Sequence, residues 1–342
     1  MKTRYLSLDK DKFSTEDLYE AAEIIRAGGL VAFPTETVYG LGADALNIDA
    51  ANKIYEAKGR PSNNPLIVHI SDPADAEKYV VTDDRYYMIA EAFMPGPITV
   101  IMPSKKIVAD SVCSGLDTLA VRCPSHPIAR AFICACDRPI AAPSANTSGR
   151  PSPTSASHVL HDLDGRVDMI IDGGECEVGL ESTIIKLERD RVVLLRPGGV
   201  TYEMLCELLG SVEIANGVLE RPDLDQKVES PGMLISHYAP NAPLYLVKGN
   251  VSDVTAFLRD KLNESGVYVI SSEGALAGSD KIISLGDENN KNEAAHRLFS
   301  ALREADERGA EQIYAAYPDA DGIGLALLNR MLRAAAFRII EL

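Results

Sequence analysis

The sequence predicts an α/β protein with two domains: an N-terminal twisted mixed sheet with helices, and a smaller, open, Rossmann-like α/β domain at the C-terminus. Three observations lead to this prediction. Short apolar runs bounded by Gly, Pro, Ser and Asp recur with helical segments between them, a polar stretch rich in proline follows, and a second alternation then begins. The length of 342 residues suits two domains of ordinary size. We expect a first domain at 1–210, a linker at 211–243 and a second domain at 244–342.

In the first domain, the pattern predicts an early helix and a series of short strands. Residues 15–27 are expected to form the helix, with Thr15 as its N-cap and Gly28 and Gly29 as its stop. Because strands and helices do not alternate strictly, we expect a mixed sheet rather than a purely parallel one. The expected strands are 30–34, 66–70, 98–102, 119–122, 140–142, 169–171, 183–187 and 192–195.

The stretch from 211 to 243 is predicted to be a linker, because its prolines cannot be part of a continuous helix or central strand. It is long for a loop, and long loops are often functional. Beyond it, strands are expected at 244–247, 267–270, 282–285 and 312–316, and helices at 252–263, 292–308 and 324–338. Gly322-Ile323-Gly324 lies too near the end for a dinucleotide-binding loop, so we interpret it as a closely packed helix start.

The amino-acid composition argues against several classes of function. The chain is 46% hydrophobic and 25% charged, which is enough apolar material for a real core. Its net charge of −16 disfavours strong non-specific nucleic-acid binding. No apolar run approaches a membrane span or a secretory signal, and the six cysteines form no C-x-x-C pair. We therefore expect a cytoplasmic protein without a membrane role or a zinc site.

Two cations separated by one residue lie in a loop rich in Pro and Asn. Lys58 and Arg60, followed by Ser62, would suit a phosphate chain, since lysine offers a point charge and arginine a bidentate fork. The alternative is a solvated basic turn. His69, in the next apolar strand, either lines the same cleft or is a core histidine with its hydrogen bonds satisfied.

Arg122 interrupts an apolar strand. An unpaired buried guanidinium is costly, so Arg122 requires an anionic partner. That partner is either a protein carboxylate or a substrate carboxylate, and the sequence leaves both open.

Other polar segments follow predicted strands. Ser144 and Asn146 would project alike from an extended chain and could bind phosphate oxygens or orient a metal-bound water, although the segment could equally be a Ser/Pro-rich loop. Thr35, in the segment Pro34–Gly42, directly follows a strand, where ligands often bind, or belongs to an ordinary turn. Ser182 and Arg196 lie at strand boundaries. The sequence contains no P-loop motif and no G-x-S-x-G elbow.

Taken together, these motifs resemble a known family. The K-x-R and S-x-N pairs, with PTETVYGLG, the segment Ser144–Thr154, GLESTII and LRPG, resemble the YrdC-like domain of threonylcarbamoyl-AMP synthases. Ser230–Met233 and His237–Pro240 resemble the linker of the two-domain form, and Gly324–Arg330 resembles its last helix. Leu234-Ile235-Ser236 departs from the basic residues that related linkers often carry, which puts linker contacts with phosphate in doubt.

The resemblance implies an L-threonylcarbamoyladenylate synthase, a nucleotidyltransferase. Such an enzyme joins L-threonine, bicarbonate or CO2, and ATP into threonylcarbamoyl-AMP and releases pyrophosphate. The product passes to a separate transferase complex that modifies an adenosine in tRNA, so direct tRNA binding is not expected.

The resemblance also implies residue roles. The catalytic set would be Lys58, Arg60, Ser144 and Asn146, with the two cations offsetting charge at the α-phosphate and the other two completing the nucleotide and Mg²⁺ site. Mg²⁺ would be held mainly by the ATP phosphates. The expected ATP neighbours are Lys58, Ser62, Thr118, Ser144, Ser152, Arg196 and Tyr238. The expected threonine neighbours are Thr35, His69, Arg122, Ala142 and Ser182.

The linker is predicted to act as a lid that excludes water, because an acyl-adenylate hydrolyses readily. Three other functions are considered. A carbamoyl-adenylate former of the hydrogenase-maturation type would have acylphosphatase and zinc-finger parts, which this chain lacks. An RNA-binding module would carry a basic, aromatic surface. A regulatory paralogue would not need the intact K-x-R and S-x-N motifs.

Overall fold

The computed structural model describes residues 2–221, 237–274, 276 and 278–342. The predicted linker is therefore described only in part, and its motif Ser230–Met233 lies outside the described residues. No helix in the described ranges is both long enough and apolar enough to cross a membrane. Two sheets divide the fold, one formed by strands between residues 4 and 214 and the other by strands between 244 and 341.

The larger sheet is mixed. Within the described ranges it has eleven strands in the spatial order β1-β8-β2-β3-β7-β4-β6-β5-β9-β10-β11. Parallel pairs such as β4 with β6 lie beside antiparallel pairs such as β4 with β7. The strands are β1 (Arg4–Ser7), β2 (Val31–Phe33), β3 (Gly40–Asp44), β4 (Ile67–His69), β5 (Ile98–Pro103), β6 (Thr118–Arg122), β7 (Ile140–Ala142), β8 (Met169–Asp172), β9 (Thr183–Leu187), β10 (Val192–Arg196) and β11 (Glu213–Ile214).

Helices pack around this sheet, and local capping determines where they begin and end. Asn47 caps α2 by accepting hydrogen bonds from the amides of Asp49 and Ala50, and Gly59 ends the helix in the left-handed conformation at φ 61°. This stop makes Lys58 the last helical residue. The helices are α1 (Tyr19–Arg26), α2 (Ile48–Lys58), α3 (Asp84–Phe93), α4 (Asp110–Cys113), α5 (Pro127–Cys136), α6 (Ala156–Leu163) and α7 (Tyr202–Leu209), with 3₁₀ turns at Thr15–Leu18 and Pro73–Lys78.

The second sheet is entirely parallel in its described pairs, in the order β14-β13-β15-β12-β16. Gly322 adopts φ 56°, and a Cβ on Gly324 would stand 2.3 Å from the carbonyl oxygen of Asp319, so the predicted closely packed helix start is confirmed. The elements are β12 (Leu244–Lys248), α8 (Val251–Lys261), β13 (Val267–Glu273), β14 (Ile282–Asp287), α9 (Lys291–Glu307), β15 (Gln312–Ala316), α10 (Gly324–Ala334) and β16 (Ile339–Glu341).

The eight strands predicted in the first domain are confirmed, and three others were missed. The expected N-cap Thr15 is wrong, since Ser14 takes that place and its amide donates to the Asp17 carboxylate at 2.8 Å. Strand β3 was missed because its sequence, GLGAD, has few residues that favour strands. The structure explains its glycines, because a Cβ on Gly42 would lie 2.8 Å from an Ile140 methyl.

The two domains share a hydrophobic core. Val38 and Leu180 of the first domain belong to the same buried cluster as Leu298 and Phe299 of α9. Gly179 packs directly on this helix, and a Cβ there would stand 2.4 Å from the His296 carbonyl oxygen. The second domain is therefore docked beside the segment that leads into β9, where several predicted site residues lie.

Candidate active site

Neighbouring strands bring the predicted site residues together. His69 on β4 is in register with Arg122 on β6, and Ala142 on β7 is in register with Ile67 on β4. A cavity of about 40 Å³ opens beside these strand ends. Its lining includes eight predicted residues, namely Thr35, His69, Arg122, Ala142, Ser144, Ser182, Arg196 and Tyr238.

Arg122 has a protein carboxylate as its partner. Its Nη2 donates to Glu36 Oε1 at 2.7 Å, and both side chains are at most 5% exposed. Glu36 Oε2 also accepts the Ser125 amide at 3.2 Å. The Arg122 Nε is buried without a hydrogen-bond partner among the described residues. One of the two partners that the sequence left open is therefore present, and Arg122 retains a donor for an additional acceptor.

His69 and Thr35 supply buried polar groups to the same cavity. Burial lowers the pKa of His69 to about 3, with a further contribution from the Arg122 charge, so the imidazole is neutral near neutral pH. Its Nδ1 lies 3.2 Å from the Ile67 carbonyl oxygen. The Thr35 hydroxyl donates to the Val38 carbonyl oxygen at 2.6 Å and accepts the Val38 amide at 3.2 Å. Thr35 thus both orders its own turn and lines the cavity.

Ser182 and Arg196 form the opposite wall. The Arg196 guanidinium donates to the Ser182 carbonyl oxygen at 3.0 Å and to its hydroxyl at 3.2 Å. Burial lowers the pKa of Arg196. Glu181, the residue before Ser182, also lines the cavity and accepts a 2.6 Å hydrogen bond from Ser152. Ser152 does not line the cavity itself, but its hydroxyl is hydrogen-bonded to Glu181, which does.

Lys58 connects the K-x-R and S-x-N motifs. Its ammonium donates to the carbonyl oxygens of Ser144 and Asn146, and the Asn146 Oδ1 lies 3.4 Å away. The Ser144 hydroxyl donates to the same Oδ1 at 2.5 Å. Burial, reinforced by the Arg60 charge, holds the pKa of Lys58 well below its ordinary value. No carboxylate in the described ranges is within salt-bridge distance of Lys58.

Arg60 is also buried. Its guanidinium donates to the carbonyl oxygens of Asn64, at 3.3 and 3.4 Å, and Pro65, at 3.1 Å. Burial lowers its pKa to about 10, and the Arg196 charge acts in the same direction. Since K-x-R could have been a solvated basic turn, the burial of both cations excludes that alternative.

Two residues near the end of the predicted linker line the cavity. They are His237 and Tyr238, with ring centroids 4.1 Å apart. Burial lowers the pKa of His237 to about 3. Tyr238 has φ 65° and packs on Phe299 at 5.2 Å and over the Arg330 guanidinium at 5.6 Å. Side chains of the second domain thus pack against Tyr238 in the cavity wall.

Comparison with known proteins is consistent with this geometry. A family model described as "Telomere recombination" matches residues 23–198, and one described as "Threonylcarbamoyl-AMP synthase, C-terminal domain" matches 200–336. A Bacillus subtilis threonylcarbamoyl-AMP synthase is 43% identical over 350 aligned residues, covering 100% of both chains. The chain belongs to the threonylcarbamoyl-AMP synthase family. A Pyrococcus abyssi family member is 44% identical over 94% of both chains. The solved structure of P. abyssi Sua5 complexed with L-threonine has 42% identity and a TM-score of 0.92, covering 100% of both chains.

Membership of the threonylcarbamoyl-AMP synthase family confirms the predicted family, the two-domain α/β fold and the nucleotidyltransferase class. Some predicted residues lie away from the cavity. Ser62 is exposed in the loop after Arg60, and its carbonyl oxygen accepts from Ser114 at 2.8 Å. Thr118 begins β6, at the opposite end of that strand from Arg122. Neither lines the cavity.

Sequence reasoning missed Glu181 and His237, which line the cavity, and Glu36, which pairs with Arg122 beside it. The signal was available, because each lies inside a motif that carried the resemblance. For the two glutamates, the available signal was their charge. A carboxylate near a strand that ends in buried cations is a candidate ion-pair partner for those cations.

The described residues contain no group of three or more His, Cys, Asp or Glu side chains that could hold a metal. The two side-chain oxygens predicted to complete the Mg²⁺ site, the Ser144 hydroxyl and the Asn146 Oδ1, are hydrogen-bonded to each other. Mg²⁺ commonly keeps several waters and binds through substrate phosphates.

Proposed function

We propose that the chain condenses L-threonine, bicarbonate or CO2, and ATP into threonylcarbamoyl-AMP, with release of pyrophosphate. The observation that carries the proposal is the placing of Arg122, with an Nε free to donate, in one cavity wall near three further buried cations, Lys58, Arg60 and Arg196. This arrangement suits a carboxylate ligand beside a polyanion.

Threonine would bind at the end of the cavity formed by β4, β6 and β7. Its carboxylate would accept from Arg122, where the partly paired guanidinium offers charge and direction. Neutral His69, Thr35 and Ser182 would surround the amine and hydroxyl. Ala142 leaves space for the aliphatic part. In support, a close structural relative is described as complexed with L-threonine.

ATP would bring its phosphates to the buried cations. Lys58, Arg60 and Arg196 are buried, and electrostatic stabilisation of charge at the α-phosphate is stronger at buried sites than in water. Ser144 and Asn146 would complete the phosphate site, with Ser152 and Tyr238 as further neighbours. Ser62 and Thr118 would contact the nucleotide only where it extends beyond the cavity.

The reaction needs no covalent enzyme intermediate. The unprotonated threonine amine first bonds to the carbon of CO2 and loses a proton, which gives a carbamate; bicarbonate would supply the CO2 by loss of hydroxide. A carbamate oxygen then bonds to the α-phosphorus of ATP, and the bond from that phosphorus to the bridging oxygen breaks, so that pyrophosphate leaves with the electron pair. The chain's residues orient the two substrates and offset charge.

Mg²⁺ would be held mainly by the ATP phosphates, with the side-chain oxygens of Ser144 and Asn146 completing the site. When bound, it would neutralise phosphate charge. The product would pass to a tRNA threonylcarbamoyl transferase complex in the cytoplasm. The net charge of −16 supports a division of labour in which this chain does not itself bind tRNA.

The test is to incubate the protein with ATP, Mg²⁺, bicarbonate and L-threonine, and to measure pyrophosphate and the adenylate by mass spectrometry. We expect both products only when threonine and bicarbonate are present together. K58A and R122A should abolish them. Tight binding of tRNA in a filter assay, without threonine-dependent pyrophosphate, would instead support the RNA-binding alternative.

A further inference from the structure

An arginine of the second domain is buried against one wall of the cavity. Arg330, on α10, is 0% exposed, and its Nε donates to Glu181 Oε2 at 2.7 Å. Its Nη2 also donates to two main-chain carbonyl oxygens, those of Pro197 at 3.0 Å and Glu181 at 3.4 Å. A single guanidinium therefore links the segment that leads into β9 with the segment that leaves β10.

These two segments carry ligand-binding candidates. Ser182 follows Glu181 in the sequence, and Arg196 precedes Pro197. The Arg330 guanidinium therefore contacts the sequence neighbour of both candidates. Glu181 lines the cavity and accepts the Ser152 hydroxyl through its other carboxylate oxygen. A shift of Arg330 would thus disturb the cavity wall that Ser182 and Arg196 form, together with Ser152.

A second arginine of the same domain holds the S-x-N loop. Arg303, on α9, donates to both carboxylate oxygens of Asp162 at 3.0 and 2.9 Å, and to the Pro151 carbonyl oxygen at 2.6 Å. Asp162 in turn accepts the Thr147 amide at 3.3 Å. Thr147 directly follows Asn146, whose carbonyl oxygen accepts from Lys58.

The carboxylates and the arginines come from different domains. Glu181 and Asp162 belong to the first, and in the described ranges their salt-bridge partners are Arg330 and Arg303 of the second. All four side chains are at most 7% exposed. Because a buried carboxylate without its partner is strongly disfavoured, these segments depend on the docked second domain for their geometry.

We propose that Arg330 and Arg303 are positioning residues for adenylate formation, so that docking of the second domain completes the active site. The proposal rests on the proposed function and extends it to residues that contact no substrate. Arg330 orients the wall that binds substrates, whereas Arg303 orients the loop that carries the catalytic set. The two arginines should therefore affect different kinetic constants.

The experiment compares R330M and R303M with R333M in the full chain. Arg333 is a matched control, since it lies on the same helix as Arg330, is 3% exposed, and donates to the Gly217 carbonyl oxygen at 2.6 Å, outside the cavity wall. For each variant we would measure kcat, the KM values for ATP and threonine, ATP affinity by calorimetry, and the thermal midpoint. R330K and the double variant E181Q/R330M complete the set.

We expect R330M to raise the KM for ATP and threonine about tenfold or more, and R303M to lower kcat by a similar factor. R333M should lower the thermal midpoint without raising KM or lowering kcat. R330K should recover part of the loss. If R330M folds poorly, E181Q/R330M removes both buried charges, and it should regain thermal stability while its KM stays high.

Equal kinetic constants for R330M, R303M and R333M would overturn the proposal and leave the arginines as docking contacts only. Failure of the wild type to release threonine-dependent pyrophosphate would instead overturn the proposed function. Measuring ATP affinity by calorimetry distinguishes failure of the positioning proposal from failure of the proposed function. Weaker ATP binding in R330M but not in R333M supports the positioning role even without turnover, and equal binding contradicts it.

Discussion

Arg122 and Glu36 form a buried ion pair at 2.7 Å that lies directly beside the cavity. The pair uses only part of the guanidinium, because Nε has no partner in the described ranges. Glu36 thus lowers the cost of burying Arg122 and fixes its orientation, while a donor remains available. The same arginine can serve both stability and ligand recognition, and the two contributions can be separated by mutation.

For Arg122→Met, we expect loss of threonine-dependent pyrophosphate release and a loss of stability of about 3–5 kcal/mol, since Glu36 is left buried without its cation. The double variant E36Q/R122M should regain most of the stability but none of the activity. Urea denaturation and a pyrophosphate assay measure the two effects. Recovery of activity in the double variant would show that Arg122 acts only through Glu36.

Lys58 is expected to take up a proton when ATP binds. Burial and Arg60 lower its pKa in the free protein, and a phosphate anion would raise it again. Proton uptake on ATP binding should therefore be confined to the range between the pKa of Lys58 in the free protein and its pKa in the complex. It should fade below that range, where Lys58 is already protonated, and above it, where Lys58 is neutral in both states. Calorimetry in buffers of different ionisation heats measures this uptake.

The matched control for Lys58 is Lys53, on the same helix, whose ammonium donates to the Gly28 carbonyl oxygen at 2.7 Å. K53M should keep the wild-type proton uptake, and K58M should lose it. An identical uptake in K58M and the wild type would assign the proton to another group.

Tyr238 is expected to protect the product from water. Its ring packs between Phe299 and Arg330 at the cavity wall. Y238A should lower the ratio of intact adenylate to pyrophosphate, whereas Y238F, which keeps the ring, should behave like the wild type. Both variants keep a Cβ in the left-handed conformation, so backbone strain is matched. An unchanged ratio in Y238A would argue against the lid.

Glu181 should make stability depend on pH in the acidic range. Burial alone would raise its pKa, but Arg330 and Arg196 lower it to about 2, below the ordinary 4.5. The unfolded chain therefore binds the proton first as pH falls, and stability declines from about pH 4.5 towards pH 2 by about 3 kcal/mol in total. Urea unfolding of the wild type and E181Q over this range should give a smaller pH-dependent loss in E181Q. Parallel curves would contradict the assignment.

Local patterns determined most of the fold, and long-range pairing determined what was missed. The apolar runs were sufficient for β9 and β15, whose predicted bounds match the structure. The sequence also indicated that Arg122 needs an anion. It could not select Glu36, which is 86 residues away, because their contact depends on how the turn after β2 folds back on β6.

The interface between the domains was beyond prediction for the same reason. Glu181 and Arg330 are 149 residues apart, and nothing local to either indicates the pairing. That Tyr238 belongs near the cavity was inferred only through the resemblance. Its left-handed backbone at φ 65° is unusual for a tyrosine, and no residue pattern near it predicts that conformation.

At Gly179 the backbone of the first domain closely approaches the backbone of helix α9 in the second. Gly179 adopts φ 74°, and a Cβ would stand 2.4 Å from the His296 carbonyl oxygen and 2.5 Å from its Cα. In Gly179→Ala, helix α9 would have to move away, which would disturb the Arg303–Asp162 pair on the same helix. We expect a loss of several kcal/mol in unfolding free energy and of most pyrophosphate release.

Gly174→Ala is the matched control, because Gly174 also has positive φ, at 89°, but a Cβ there would meet no atom within 4 Å. It should cost only the backbone strain, about 1 kcal/mol, and retain activity. Urea denaturation and steady-state kinetics on both variants measure the difference. If the two substitutions cost the same, the close approach of Gly179 to α9 contributes nothing, and the coupling between domain docking and the active site must rest on the buried arginines alone.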